Sequence, residues 1–136
     1  DIVEIPKDWP GYQNKPEAMA SQELWHEYWR SPIKYEPSDG NVVGRHQGAH
    51  FFTIGQRKGL SVGGKQEPLF VLATDVSRNV IYVGQGKAHR GLHRRGLRVT
   101  QSEVHWVRPD LSLNVGQELE GKARISYRQP LESARL

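Results

Sequence analysis

Between Gly44 and Gly64 the chain reads Gly-Arg-His-Gln-Gly-Ala-His-Phe-Phe-Thr-Ile-Gly-Gln-Arg-Lys-Gly-Leu-Ser-Val-Gly-Gly. Glycines at 44, 48, 55, 59, 63 and 64 argue against a helix here and leave room for one short apolar strand, His50 to Ile54. The same stretch carries Arg45, Arg57 and Lys58 with His46 and His50. Glycine lets a backbone approach a partner closely, and the cations beside it supply charge. The composition is that of a contact surface made from backbone and charge.

The rest of the chain is punctuated in the same way. Asp1 to Ile5 reads as a strand, and Pro6, Pro10, Gly11, Asn14 and Pro16 then interrupt regular structure. Glu17 to Arg30 is the one helix candidate, with Leu24, Trp25, Tyr28 and Trp29 on one face and Ser31-Pro32 ending it. After Tyr35 the pattern turns to short β-rich runs: Ala49–Ile54, Leu69–Thr74 and Val80–Val83, the last two joined by a hairpin loop at Asp75–Asn79. An Asp39-Gly40 turn precedes them. A second β segment is expected from Leu97, with Val104 and Trp106 on one face. Within it Leu119, Ala123 and Ile125 alternate with Glu118, Glu120, Lys122 and Arg124 as a half-buried strand would.

These readings give a mainly β chain in three parts. Residues 1–37 are a strand and a short helical insertion, 38–96 a small β roll or barrel, and 97–136 the first strands of a second, incomplete barrel. A barrel stopped there leaves edges unpaired, so the tail is expected to fray or to self-associate with another copy. The strand-like start without Met and the open end read as a piece of a longer protein. No apolar run is long enough to span a membrane, and no secretory signal is visible. The absence of cysteine fits a cytoplasmic protein.

Charge is unevenly placed. Residues 1–39 hold eight acidic and four basic residues, against seven and fifteen in 40–136. A basic body behind an acidic arm points to a polyanion partner. Three basic groups stand out: Gln56-Arg57-Lys58; Lys87, Arg90, Arg94, Arg95 and Arg98 with His89 and His93; and Tyr127-Arg128-Gln129. Arginine grips phosphate bidentately and aromatic rings stack on unpaired bases. Other chemistries fit less well. The pairs His46/His50 and His89/His93 have zinc spacing, but glycines break the helix that spacing needs and no third ligand follows. Gly55–Gly59 with Gly63-Gly64 resembles a phosphate cradle in composition only. No nucleophile motif is present, so no catalysis is expected from this chain alone.

Val43–Gly48, Thr53-Ile-Gly-Gln-Arg-Lys-Gly-Leu60, Gly63-Gly64, Glu67–Val71, His105-Trp106 and Tyr127-Arg128-Gln129 together resemble the tRNA-specific 2-thiouridylases, formerly named tRNA methyltransferases. The Thr53–Leu60 string is highly specific to that family. The resemblance runs from about Asn41 to Gln129 in the right order. It implies an enzyme that places sulfur on carbon 2 of the wobble uridine. An N-terminal domain would bind ATP, adenylate the uridine and carry two cysteines. A central β domain and a C-terminal barrel similar to that of a translation factor would help to hold tRNA.

The chain then corresponds to the central domain and the start of the barrel, with no cofactor of its own, tRNA as partner and a sulfur-carrier protein serving the whole enzyme. Gln56, Arg57 and Lys58 fall in the central-domain signature, and Tyr127 in the family's tRNA-contacting Arg-Tyr pair. Ser126 departs from the arginine usual beside it, and Asp8–Pro37 is longer than the expected link. Arg94, Arg95, Arg98 and Arg128 are candidate RNA contacts by charge. The alternative is a structural module that braces the catalytic domain and sulfur-carrier partners without itself binding tRNA strongly.

Overall fold

The computed structural model describes residues 1–13, 31–94, 96–125 and 129–136, so the helix expected over 17–30 lies outside the described residues. The described chain is mainly β and forms two units, Asp1–Arg98 and Val99–Leu136. In the first, β1 (Ile2–Glu4), β2 (Asn41–Gly44), β3 (Leu69–Asp75) and β4 (Val80–Gln85) make an open four-stranded sheet in the order β2-β1-β4-β3. The expected hairpin is present: β3 and β4 pair antiparallel from Leu69↔Gln85 to Asp75↔Val80. β1 runs parallel to β4 and antiparallel to β2.

Both faces of this sheet are covered, so β3 and β4 read as nearly continuous apolar runs. On one face Ile2, Val71, Ile81 and Val83 pack with Ala49, Leu60 and Leu69. On the other Val3, Leu72, Val80 and Tyr82 pack with Ile5, Tyr12 and Tyr35. Alternate residues of β1 and β4 therefore point to opposite faces. β3 breaks the alternation. Its register shifts between Val71 and Ala73, and Leu72 and Ala73 join the same cluster, the signature of a β-bulge. Trp9, Tyr12 and Tyr35 cover the second face, with Trp9 5.0 Å from each tyrosine ring.

Ala49–Ile54 is not the strand expected. Ala49–Phe51 is a 3-10 turn, in which the Phe51 amide donates to the Gly48 carbonyl and the Phe52 amide to that of Ala49, both at 3.2 Å. The anchoring residues, buried Ala49 and half-buried Phe52, lie three apart, the period of a 3-10 turn. The side-chain oxygen of Asn79 accepts from the Ala49 amide at 2.9 Å and fixes this turn against the hairpin loop.

The second unit holds one hairpin, β5 (Glu120–Ala123) with β6 (Glu132–Arg135). Leu119 and Leu136 extend it by exchanging backbone hydrogen bonds of 3.1 and 2.9 Å, so the tail pairs within the chain. No strand forms over 97–106. Gln101–Glu103 is instead a 3-10 turn closed by a capping box between Thr100 and Glu103. The alternation over 118–124 gives no half-buried ribbon: β5 is exposed on both faces, and every described core residue belongs to the first unit. Among the described residues no helix is long and apolar enough to cross a membrane.

Candidate nucleic-acid interface

The segment from Thr53 to Leu60 runs along the free edge of β3 beside its bulge. The Gly55 amide donates to the Val71 carbonyl at 2.7 Å and the Val71 amide to the Gln56 carbonyl at 2.9 Å. Gly55 and Gly59 have φ of +83° and +85°, left-handed values that glycine adopts without steric cost. Leu60 is buried in the core and pins the far end. Gln56 closes the loop from inside: its side-chain oxygen accepts from the Thr53 amide at 3.1 Å, and its side-chain nitrogen donates to the Lys58 carbonyl at 2.9 Å. Arg57 and Lys58 are held outward and exposed at the tip. The Gly55 and Gln56 amides are both engaged with the protein, which argues against a backbone phosphate cradle here.

The second basic group lies against the other face of the sheet. The 3-10 turn Arg90–Leu92 seats Gly91 on the Tyr12 and Tyr35 hydroxyls; a Cβ there would come within 2.7 and 2.5 Å of them. Those hydroxyls are 2.8 Å apart. Burial raises both tyrosine pKa values, and the nearby charges of Arg90 and Arg94 oppose that rise at Tyr12 and Tyr35 respectively. Lys87, Arg90, His93, Arg94 and Arg98 are exposed.

His89 does not belong with that charge. It is 1% exposed, its Nε2 is 3.1 Å from the Ile5 carbonyl, and its Nδ1 accepts from the Gly91 amide at 3.2 Å. That pattern is a neutral ring donating through Nε2. Desolvation lowers its pKa, consistent with the neutral form.

Several cations are paired within the chain. Lys7 pairs with Glu67, Lys65 with Glu4, Arg78 with Glu36 and Asp75, Arg108 with Asp110, and Arg135 with Glu118. Arg57, Lys58, Lys87, Arg90, Arg94 and Arg98 join no ion pair among the described residues. The structure thus leaves uncompensated Arg57, Lys58, Lys87, Arg90, Arg94 and Arg98, whereas Arg45 Nε lies 3.9 Å from the Asp1 carboxylate; one basic group sits on the loop at the edge of β3 and the other on the turn beside Tyr12 and Tyr35. Arg95, Ser126, Tyr127 and Arg128 lie outside the described residues.

A cleft of about 300 Å³ lined by Glu4, Ile5, Pro6, Lys7, Gln66, Glu67 and Gln85 offers little free charge, because its lysine and glutamates are already paired. Among the described residues no three His, Asp or Glu side chains gather as a metal set would. The histidines instead bond locally: His46 Nδ1 accepts from the Gly48 amide at 3.0 Å, and His93 Nε2 lies 3.0 Å from the Lys87 carbonyl.

This geometry defines a small open-sheet β module with uncompensated cations on well-fastened turns. Residues 30–85 match the family model described as the tRNA methyl transferase PRC-barrel domain. The chain is 53% identical over 135 residues to the tRNA-specific 2-thiouridylase MnmA of Christiangramia forsetii, which covers 99% of this chain and 34% of that relative. It is 51% identical to the protein of the same name from Flavobacterium johnsoniae, with the same coverage. For the one from Karelsulcia muelleri, identity is 36% over 99% of this chain and 32% of the relative. The chain spans about a third of the length of the curated relatives it matches. It belongs to the tRNA-specific 2-thiouridylase family.

Proposed function

We propose that this chain is the tRNA-docking, non-catalytic portion of an ATP-dependent enzyme that thiolates carbon 2 of the wobble uridine. The observation that carries this reading is that the cations grouped along the sequence, Arg57, Lys58, Lys87, Arg90, Arg94 and Arg98, are exposed and join no ion pair among the described residues, two of them on a loop clamped from within by Gln56. Positioned charges of this kind hold a polyanion while chemistry proceeds elsewhere, and binding energy from the tRNA body fixes the target base. The chain has no cysteine, so in this reading the nucleophile, the persulfide and the ATP site belong to other parts of the enzyme. A sulfur-carrier protein would serve those parts, and the setting would be the cytoplasm. Arg94, Arg95, Arg98, Tyr127 and Arg128 are further proposed RNA contacts.

The test is a salt series of tRNA binding with an unrelated RNA hairpin as control. Replacing Arg57 and Lys58 by alanine should flatten the log–log slope by about 1.4 to 1.8, and replacing Arg94, Arg95 and Arg98 by about two to three. Unchanged slopes for both variants would overturn docking. A bracing role is favoured instead by the apolar surface of the second unit, where Val107, Val115 and Ile125 are exposed. Under that role, the Arg57/Lys58 double variant of the full-length enzyme loses activity and keeps its tRNA affinity.

A further inference from the structure

We propose that His50 and Phe51 form a stacking platform for an unpaired base of the RNA, an inference that rests on the docking reading. The loop between β2 and β3 sorts its side chains by role. Ala49 and Leu60 are buried, and Phe52 packs on the same core cluster. His50, Phe51, Ile54, Arg57 and Lys58 are left outward, with Phe51 67% and Ile54 51% exposed. Burying a phenylalanine side chain is favourable, so leaving Phe51 in water forfeits much of that gain.

The exposure is built into the local geometry. The His50 and Phe51 ring centroids are 4.0 Å apart at 43°, so the rings lean partly face to face and Phe51 still remains 67% exposed. A Cβ on Gly48 would come within 2.7 Å of the His50 ring and 3.2 Å of the Phe51 ring, so the missing side chain at 48 is what seats both. The Gly48 amide is itself tied to His46 Nδ1 at 3.0 Å. His46 in turn packs edge-on against Phe52, 5.5 Å between centroids.

An unpaired nucleotide offers a flat π face beside a phosphate. Aromatic rings near free cations are the recurrent way to hold it. Another protein segment could also cover Phe51. The cations that follow on the same loop, Arg57 and Lys58, have no carboxylate partner among the described residues and favour a polyanion.

The experiment compares wild type, Phe51→Ala and Phe51→Trp in binding an unmodified tRNA transcript at several salt concentrations. It also compares oligouridylate with an abasic oligonucleotide of equal length. Phe51→Ala should weaken tRNA binding by about 5- to 150-fold with the salt slope unchanged, and should abolish the preference for oligouridylate over the abasic strand. Phe51→Trp should retain affinity and add an emission component that RNA quenches. Unchanged affinity in Phe51→Ala, while the Arg57/Lys58 variant still flattens the slope, overturns the platform and leaves docking standing. Equal weakening for both oligonucleotides with a lowered melting temperature also overturns it, because the loop fold and not stacking was lost. Salt-independent binding, or none, overturns both readings.

Discussion

The Gln56 side chain reaches from Thr53 to Lys58, and its two hydrogen bonds to the backbone hold the loop in one shape without involving the side chains of Arg57 or Lys58. Gln56→Ala leaves every charge in place and removes the clamp. Each hydrogen bond is worth about 0.5–1.5 kcal/mol, and partial exposure puts the combined loss near 1–2 kcal/mol. The expected result is a lower urea midpoint and severalfold weaker tRNA binding at an unaltered salt slope. A flattened slope would mean that the variant had also removed a phosphate contact. Gly55 offers a separate control. A Cβ there meets nothing within 4 Å, yet φ is +83°, so Gly55→Ala costs only the left-handed strain, about 1–2 kcal/mol in the same urea titration. The sequence and the family resemblance singled out Gln56-Arg57-Lys58 as a unit. They could not separate the clamp from the two cations it carries, because that division depends on which way each side chain turns.

At the level of elements, the β3–β4 hairpin was legible because two β-rich runs flank a turn-forming loop. β1 was legible in the same way from its own short apolar run. Ala49–Ile54 misled because apolar content alone does not separate a period of two from a period of three. The decisive contact, from Ala49 to Asn79, crosses thirty residues of sequence. Nor could the sequence show that one basic group sits on a loop bonded to the edge of β3 and the other on a turn seated against Tyr12 and Tyr35, since those contacts are long-range. Phe51 was legible as apolar and not as exposed.

Asn79 tests this coupling of elements. It has φ of +53° and also supplies the oxygen that fixes the Ala49 turn. Asn79→Gly keeps the backbone conformation and loses the anchor, about 1 kcal/mol. Asn79→Ala loses the anchor and adds left-handed strain, for about 2–3 kcal/mol in total. Urea titrations of the two should rank alanine below glycine. Equal losses would mean that the turn conformation carries no strain.

For the first unit as a whole, buried His89 and half-buried His46 contribute to the response to acid. His89 bonds the end of β1 through the Ile5 carbonyl and lies against Gly84 of β4, where a Cβ would come within 2.6 Å of its ring. Its pKa lies below the ordinary 6.5 because burial disfavours the charged ring; Lys7 pushes it the same way and Glu4 opposes. His46 is lowered as well, chiefly by burial. The unfolded chain therefore takes up protons first as pH falls past 6.5. The stabilisation is fully present above that pH and is lost as pH falls through the folded-state values. Each histidine contributes a slope of at most about 1.4 kcal/mol per pH unit across its window. Urea midpoints between pH 8 and pH 5 should fall on the acid side. His89→Gln keeps a donor for the Ile5 carbonyl but cannot titrate, so its profile should be flatter and retain only the part due to His46 and the carboxylates. A variant profile parallel to wild type would mean that His89 takes up protons equally in the folded and unfolded chain, and that burial does not lower its pKa.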